Sequence, residues 1–213
     1  MTTKMLVKDA LSIAGGLSEP GKMPCYSWST PAKECNVGSK LRSIPGTVCF
    51  GCYAFTGNYI RYPIVEMAQY RRLATIDDPL WTKAMVLLCG RGAYFRWFDA
   101  GDIRDMTHLI KIVAVAMLTP NTQYWLPTKE YGLIASYRRK GGYAPPNLAI
   151  RQSAPRIDGV MTPSVGLSSM VVSEHGKPAP GAFLCEASSR NGKCGPCREC
   201  WNPENQVTAY PYH

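Results

Sequence analysis

Apolar and polar positions along this chain follow two periods, one near two and one near 3.6. Residues 23–29 form a short strand-like run that ends before Pro31, after a polar lead-in closed by Pro20-Gly21. From Pro63, a residue suited to a first helical turn, Ile64, Met67, Ala68 and Arg71 recur at helical spacing and share one face. Asp78-Pro79 then supplies an N-cap and a proline for a helix running to Leu88. The middle of the chain is the most regular. Ala93-Tyr-Phe-Arg-Trp-Phe-Asp99 predicts an aromatic strand, and Asp105 caps a helix over 106–118 with Leu109, Ile112, Val113 and Ala116 on one stripe. A strand over 123–126, a short helix through Tyr137 and a strand over 147–151 follow, and 165–172 and 182–185 are also strand-like.

Strands alternating with helices through short connections predict parallel pairing with right-handed crossovers. The strands are too few for a complete eight-stranded barrel. The expected fold is therefore α/β: an incomplete (β/α) barrel-like parallel sheet with a cysteine-rich N-terminal loop and a cysteine-rich C-terminal segment. A single domain over 1–213 is expected, with a lead-in at 1–21, the partial barrel at 22–180 and the cysteine-rich segment at 181–213.

Composition narrows the function classes. Of 213 residues, 46% are hydrophobic and 18% charged, which is globular rather than disordered. The apolar run at 110–118 is too short to cross a bilayer, and the first residues lack a secretory signal, so a cytoplasmic protein with no membrane partner is expected. The formal charge of +9 is compatible with a nucleic-acid partner. Its densest groups, Arg71-Arg72 and Arg138-Arg139-Lys140, have Tyr70, Tyr137 and Tyr143 nearby, but packing on a helix face explains those tyrosines equally well.

The nine cysteines change the picture most. In a reducing compartment, clustered thiols point to metal rather than to disulfides. One group, Cys25, Cys35, Cys49 and Cys52, ends in the knuckle Cys49-Phe-Gly-Cys52. The other is Cys185, Cys194, Cys197 and Cys200, and its run Cys194-Gly-Pro-Cys197-Arg-Glu-Cys200 has ferredoxin-type C-x2-C-x2-C spacing. That spacing favours a 4Fe-4S cluster over zinc at the C-terminal end and leaves the N-terminal group open between the two metals. Cys89 closes an apolar helical run and is expected in the core. His108, His175 and His213 show no paired metal spacing.

In parallel α/β folds, ligands bind at the carboxyl ends of the strands. Those ends here read Asp99-Ala-Gly101-Asp102, Thr128-Lys129-Glu130 and Arg151-Gln-Ser153. Carboxylates at such a rim suit an amine, and Lys129 or Arg151 a carboxylate or phosphate. Asp105 and Ser153 are expected to cap or pair locally.

Several of these motifs occur together in one known family. The Cys35…Cys49-x-x-Cys52-Tyr-Ala segment, Arg96-Trp-Phe-Asp-Ala-Gly-Asp102, Tyr124-Trp-Leu-Pro-Thr-Lys-Glu130, Asn147-Leu-Ala-Ile-Arg151 and Cys194-Gly-Pro-Cys-Arg-Glu-Cys-Trp201 resemble the phage gene product 88 family. The resemblance implies a phage protein made in the cytoplasm of the infected host cell, and no particular activity.

A more distant likeness carries chemistry. Radical SAM enzymes have a partial or complete α/β barrel with three cysteines after the first strand and a glycine-rich acidic motif after the second. Cys35, Cys49 and Cys52 are similarly placed after the first predicted strand, and Ala100-Gly101-Asp102 after the next. The likeness implies a 4Fe-4S cluster on those three cysteines and S-adenosylmethionine (SAM) or another small molecule near Asp99, Gly101, Asp102, Lys129, Glu130 and Arg151. It also implies a second cluster on Cys185, Cys194, Cys197 and Cys200, and leaves Cys25 spare. Thirteen residues separate Cys35 from Cys49, and the acidic motif ends in Asp, which departs from the usual compact pattern. The contrasting expectation is a zinc-stabilised nucleic-acid-binding or regulatory protein without catalysis.

Overall fold

A computed structural model of the chain describes residues 5–212, so His213 and the first four residues of the lead-in lie outside it. Seven strands form one sheet: β1 (Ser27–Trp28), β2 (Tyr94–Trp97), β3 (Gln123–Thr128), β4 (Leu148–Ile157), β5 (Ser168–Val172), β6 (Phe183–Leu184) and β7 (Val207–Pro211). Their order is β1-β2-β3-β4-β5-β7-β6, and every neighbouring pair is parallel. The terminal strands β1 and β6 do not pair with each other, so the sheet is an incomplete barrel. The helices are α1 (Val7–Ile13), α2 (Asn36–Leu41), α3 (Asn58–Arg61), α4 (Pro63–Thr75), α5 (Trp81–Cys89), α6 (Met106–Leu118) and α7 (Tyr131–Arg139). No helix among the described residues is long and apolar enough to cross a membrane.

Period-two alternation assigns the two faces of the sheet. Phe95, Trp97, Tyr124, Leu126, Leu148 and Ile150 point into the main core, where they meet Trp81, Met85 and Leu88 of α5 and Leu109, Ile112 and Val113 of α6. Trp28, Trp81 and Trp97 are fully buried there, with Trp28 edge-on to Trp81 at 5.4 Å between ring centroids. Such aromatic pairs add about 0.5–1.5 kcal/mol each beyond the area they bury. The stripe expected on α6 is buried as a unit, and Asp105 caps it by accepting from the His108 amide at 2.8 Å. Cys89 is buried, as its apolar setting predicts.

The opposite face carries Tyr94, Trp125 and Tyr210. It is covered by the connection between β6 and β7, which contains Cys185, Cys194, Cys197 and Cys200. Trp201 from this connection packs on Trp125 and Tyr94 at 5.4 and 5.6 Å, and its indole N–H donates to Phe95 O at 2.9 Å.

Some elements differ from the expectation. The strand-like run at 182–185 is β6, as expected, but the sheet also takes in β7 from the last residues, inserted between β5 and β6. The lead-in contains α1, which buries Ala10 against the core. On α4 the expected face is turned outward, with Ile64 at 72% and Met67 at 66% exposure, while Gln69 and Arg72 are buried. The reason is local: Arg72 Nε donates to Gly16 O at 3.0 Å and Arg71 Nε to Gly15 O at 3.1 Å, so this basic pair clamps the end of the lead-in. Charge density at Arg71-Arg72 is thus tied to internal carbonyls. Tyr70 donates to Glu34 Oε1 at 3.1 Å and Tyr137 to Tyr143 O at 3.1 Å.

Candidate metal centres

The N-terminal cysteine loop is fixed at both ends by the sheet. β4 runs on past Ser153, where its register shifts, and the extension pins the loop: Val48 donates to Pro155 O at 2.9 Å and Ile157 to Gly46 O at 3.1 Å. Cys49 therefore leaves the edge of β4, while Cys35 precedes α2. Glu130 reaches from the end of β3 to accept from the Val37 amide at 3.0 Å, capping α2 in trans. Gly38 faces the two sulfurs. A Cβ added there would sit 3.6 Å from Cys35 Sγ and 3.7 Å from Cys49 Sγ, so both thiols border one point on α2.

The Cys35 thiol is pushed well above its ordinary range by burial and then by Asp102, Cys52, Cys49 and Glu130. Cys49 is also raised by burial, opposed by Lys129 and reinforced by Cys52 and Asp102. The cysteine loop is tied to the carboxyl end of β3 by the Glu130 bond to α2, and Asp102, after β2, is tied there by the Lys129 amide. All three thiols are free and half-buried. Thiols raised in this way stay protonated unless a metal displaces the protons.

Around them the rim is rigid. Asp102 accepts from the Ile103 and Lys129 amides at 2.8 Å each and from Thr128 Oγ1 at 2.6 Å, and burial pushes its carboxyl up to about 6. Gly101 has φ +73°, and an added Cβ would collide with Thr30 O and Oγ1, so only glycine fits where this turn crosses β1. Asp99 is enclosed by hydroxyls: Ser27 donates at 3.1 Å and Tyr59 at 2.9 Å, and Ser29 also donates to it. Phe98, just before it, has φ 55°. Arg151 lies away from the rim. It is fully buried on the covered face, where its guanidinium donates to Cys200 O (2.9 Å), Asn205 O (2.7 Å), Glu199 O (2.9 Å) and Asn202 O (2.7 Å).

Those four bonds shape the C-terminal centre. Cys185, Cys194, Cys197 and Cys200 line one small, partly open cavity together with Trp201, Arg190 and Thr208. Cys200 is buried beside Tyr210, with Sγ and Oη 3.2 Å apart, and burial pushes its thiol up to about 12. Among the described residues, no three His, Cys, Asp or Glu side chains are gathered tightly enough to share a single metal ion. Thiols are donors to zinc and to iron–sulfur clusters alike, and the cysteines at each end are the residues that would hold either group.

Two residues near these centres were not singled out by spacing. Arg96 is the polar member of an aromatic strand, and the alternation of β2 puts it opposite Phe95 and Trp97. Gly38 has no motif around it. His108 is buried in the aromatic core, with Nδ1 accepting from the Arg104 amide at 3.3 Å. No curated protein and no solved structure matches the chain. The family model described as gene product 88 matches residues 3–203, nearly the whole chain, including both cysteine groups. The chain therefore belongs to the gene product 88 family.

Proposed function

We propose that this is an iron–sulfur protein made in the infected host cell. In this reading Cys35, Cys49 and Cys52 hold a 4Fe-4S cluster open to a small molecule, and the C-terminal cysteines hold a second cluster. The observation that carries it is that Cys35 and Cys49, fourteen positions apart, border one point on α2, which Glu130 holds at the end of β3 beside Asp102. Three protein thiolates leave one iron of a cubane without a protein thiolate, and the polar rim supplies charges of both signs beside it. A zwitterionic ligand such as SAM suits that rim: Lys129 faces a carboxylate, and the Asp102 carboxylate faces an amine. When bound, such a cluster supplies one-electron chemistry; the protein's share is to bind, orient and exclude water.

The remaining rim residues support the loop rather than the ligand. Glu130 fixes α2, Asp99 fixes β1 to the tyrosines that follow Cys52, and Gly101 permits close approach of the turn. The test is to purify the full chain without oxygen, add SAM and follow the electron paramagnetic resonance of the reduced cluster. Release of 5′-deoxyadenosine under dithionite is measured in parallel. A SAM-dependent change that is lost in Asp102→Asn supports the reading. A cluster indifferent to SAM overturns the ligand assignment, and a protein with stoichiometric zinc and no iron overturns the cluster itself.

A further inference from the structure

The sequence groups Cys25 with Cys35, Cys49 and Cys52, but the fold carries it to the other centre. Cys25 lies two residues before the start of β1, on the covered side of the sheet. Its segment lies against the C-terminal cysteine loop: the Cys194 amide donates to Lys22 O at 3.0 Å, and a Cβ on Gly192 would touch the Lys22 side chain at 3.0 Å. Cys25 and Met23 pack against the small cluster formed by Trp125, Cys200 and Trp201. It is half-buried there, a free thiol packed against the cluster that contains Cys200.

A second observation points into the same space. Arg96 projects from β2 over the Trp125 ring at 4.2 Å, with one terminal nitrogen 3.2 Å from Met23 Sδ. Its Nε is buried and has no hydrogen-bond partner, and among the described residues no carboxylate lies within ion-pair distance of it. Asp99 and the tyrosines Tyr53, Tyr210 and Tyr59 act on this cation electrostatically. On the covered side it lies in the same small cluster as Met23, Cys25 and Cys200. Thiolates bound to metal there would add negative charge beside a guanidinium that has no ion pair of its own.

We propose that Cys25 is a ligand of the C-terminal centre, with the half-buried Arg96 near it as counter-charge to the metal-bound thiolates. The eight clustered cysteines then divide three and five rather than four and four. The N-terminal centre keeps three, and the C-terminal centre has one more thiol than a single cubane needs, so Cys25 serves as a terminal ligand in place of one of the cavity cysteines. This rests on the iron–sulfur reading above.

The test is alkylation of the anaerobic full chain, with and without prior removal of iron by chelation under reducing conditions, followed by peptide mapping. It is repeated in the triple variant Cys35→Ser, Cys49→Ser, Cys52→Ser. Cys25 is expected to be protected at least tenfold by iron in both proteins. Labelling of Cys25 that does not change on iron removal, or protection lost in the triple variant, overturns the inference. Cys25→Ser is expected to shift the spectrum of the C-terminal centre and leave that of the N-terminal centre unchanged, whereas Cys89→Ser shifts neither. An unchanged spectrum in Cys25→Ser counts against it equally. A wild-type chain without iron is a different failure, that of the iron–sulfur reading itself.

Discussion

At the residue scale, Gly38 separates cluster binding from folding. An added Cβ lies 3.0 Å from Cys35 Cβ and close to two sulfurs, yet the position is helical. Alanine in a helix is favoured over glycine by about 1 kcal/mol. Gly38→Ala is therefore expected to hold or raise the urea midpoint of the metal-free chain while lowering iron from about eight toward about four per chain. A variant with full iron would show that the space beside α2 is not used. His108 sets an acid limit. Burial pushes its imidazole down to about 3 from 6.5, with Asp105 opposing and Arg104 and Lys111 reinforcing. The folded state holds it neutral while the unfolded chain protonates below about 6.5, so its contribution is full above that pH and is lost as pH falls toward 3. The slope is at most about 1.4 kcal/mol per pH unit. Asp102, raised to about 6, contributes with the opposite sign between 3.8 and 6, so the difference between wild type and His108→Leu isolates the histidine. Denaturant melts from pH 3.5 to 7 are expected to show a shallower acid loss in the variant, and parallel curves would contradict the assignment.

At the element scale, the connection between β6 and β7 is held by one side chain. Arg151 spends its guanidinium on four carbonyls of residues 199–205. Arg151→Met leaves those carbonyls unpaired and is expected to cost about 3–5 kcal/mol. The expected signs are faster proteolysis within 186–206 and loss of the C-terminal metal before the N-terminal one, measured by limited digestion and metal content. Equal lability of both centres would contradict this division of labour. The central elements were legible because their periodicity and caps agree: the Asp105-capped helix and the strands containing Phe95, Tyr124 and Leu148 stand where the pattern predicts them. β7 was not legible. Val207 to Pro211 follows a glycine- and cysteine-rich tract, and only long-range pairing with β5 and β6 makes it a strand. The outward face of α4 was misjudged for a similar reason, since the carbonyls of Gly15 and Gly16 outcompete the apolar stripe for the buried side.

At the scale of the whole molecule, the open sheet carries the two cysteine-rich segments to two different places. The carboxyl ends of β2 and β3 receive the N-terminal loop, and the face opposite the helices receives the C-terminal connection. Cysteine spacing groups the thiols into two sets along the chain, but not by where the fold carries each one. Cys25 is ten positions from Cys35 yet lies against the loop that bears Cys194, because β1 carries the chain from one region to the other between them. Arg151 was assigned to a strand-end rim by its position after an apolar run, and the register of β4 turns it to the covered face instead. The claim on which the rest depends is that these thiols hold iron and sulfide. The direct measurement is iron, acid-labile sulfide and zinc on the full chain purified without oxygen, beside the Cys35→Ser, Cys49→Ser, Cys52→Ser variant. The account predicts a brown protein with about eight irons and eight sulfides per chain, and about four of each in the variant. A colourless protein with zinc in place of iron, or an iron content that the triple substitution leaves unchanged, would contradict it.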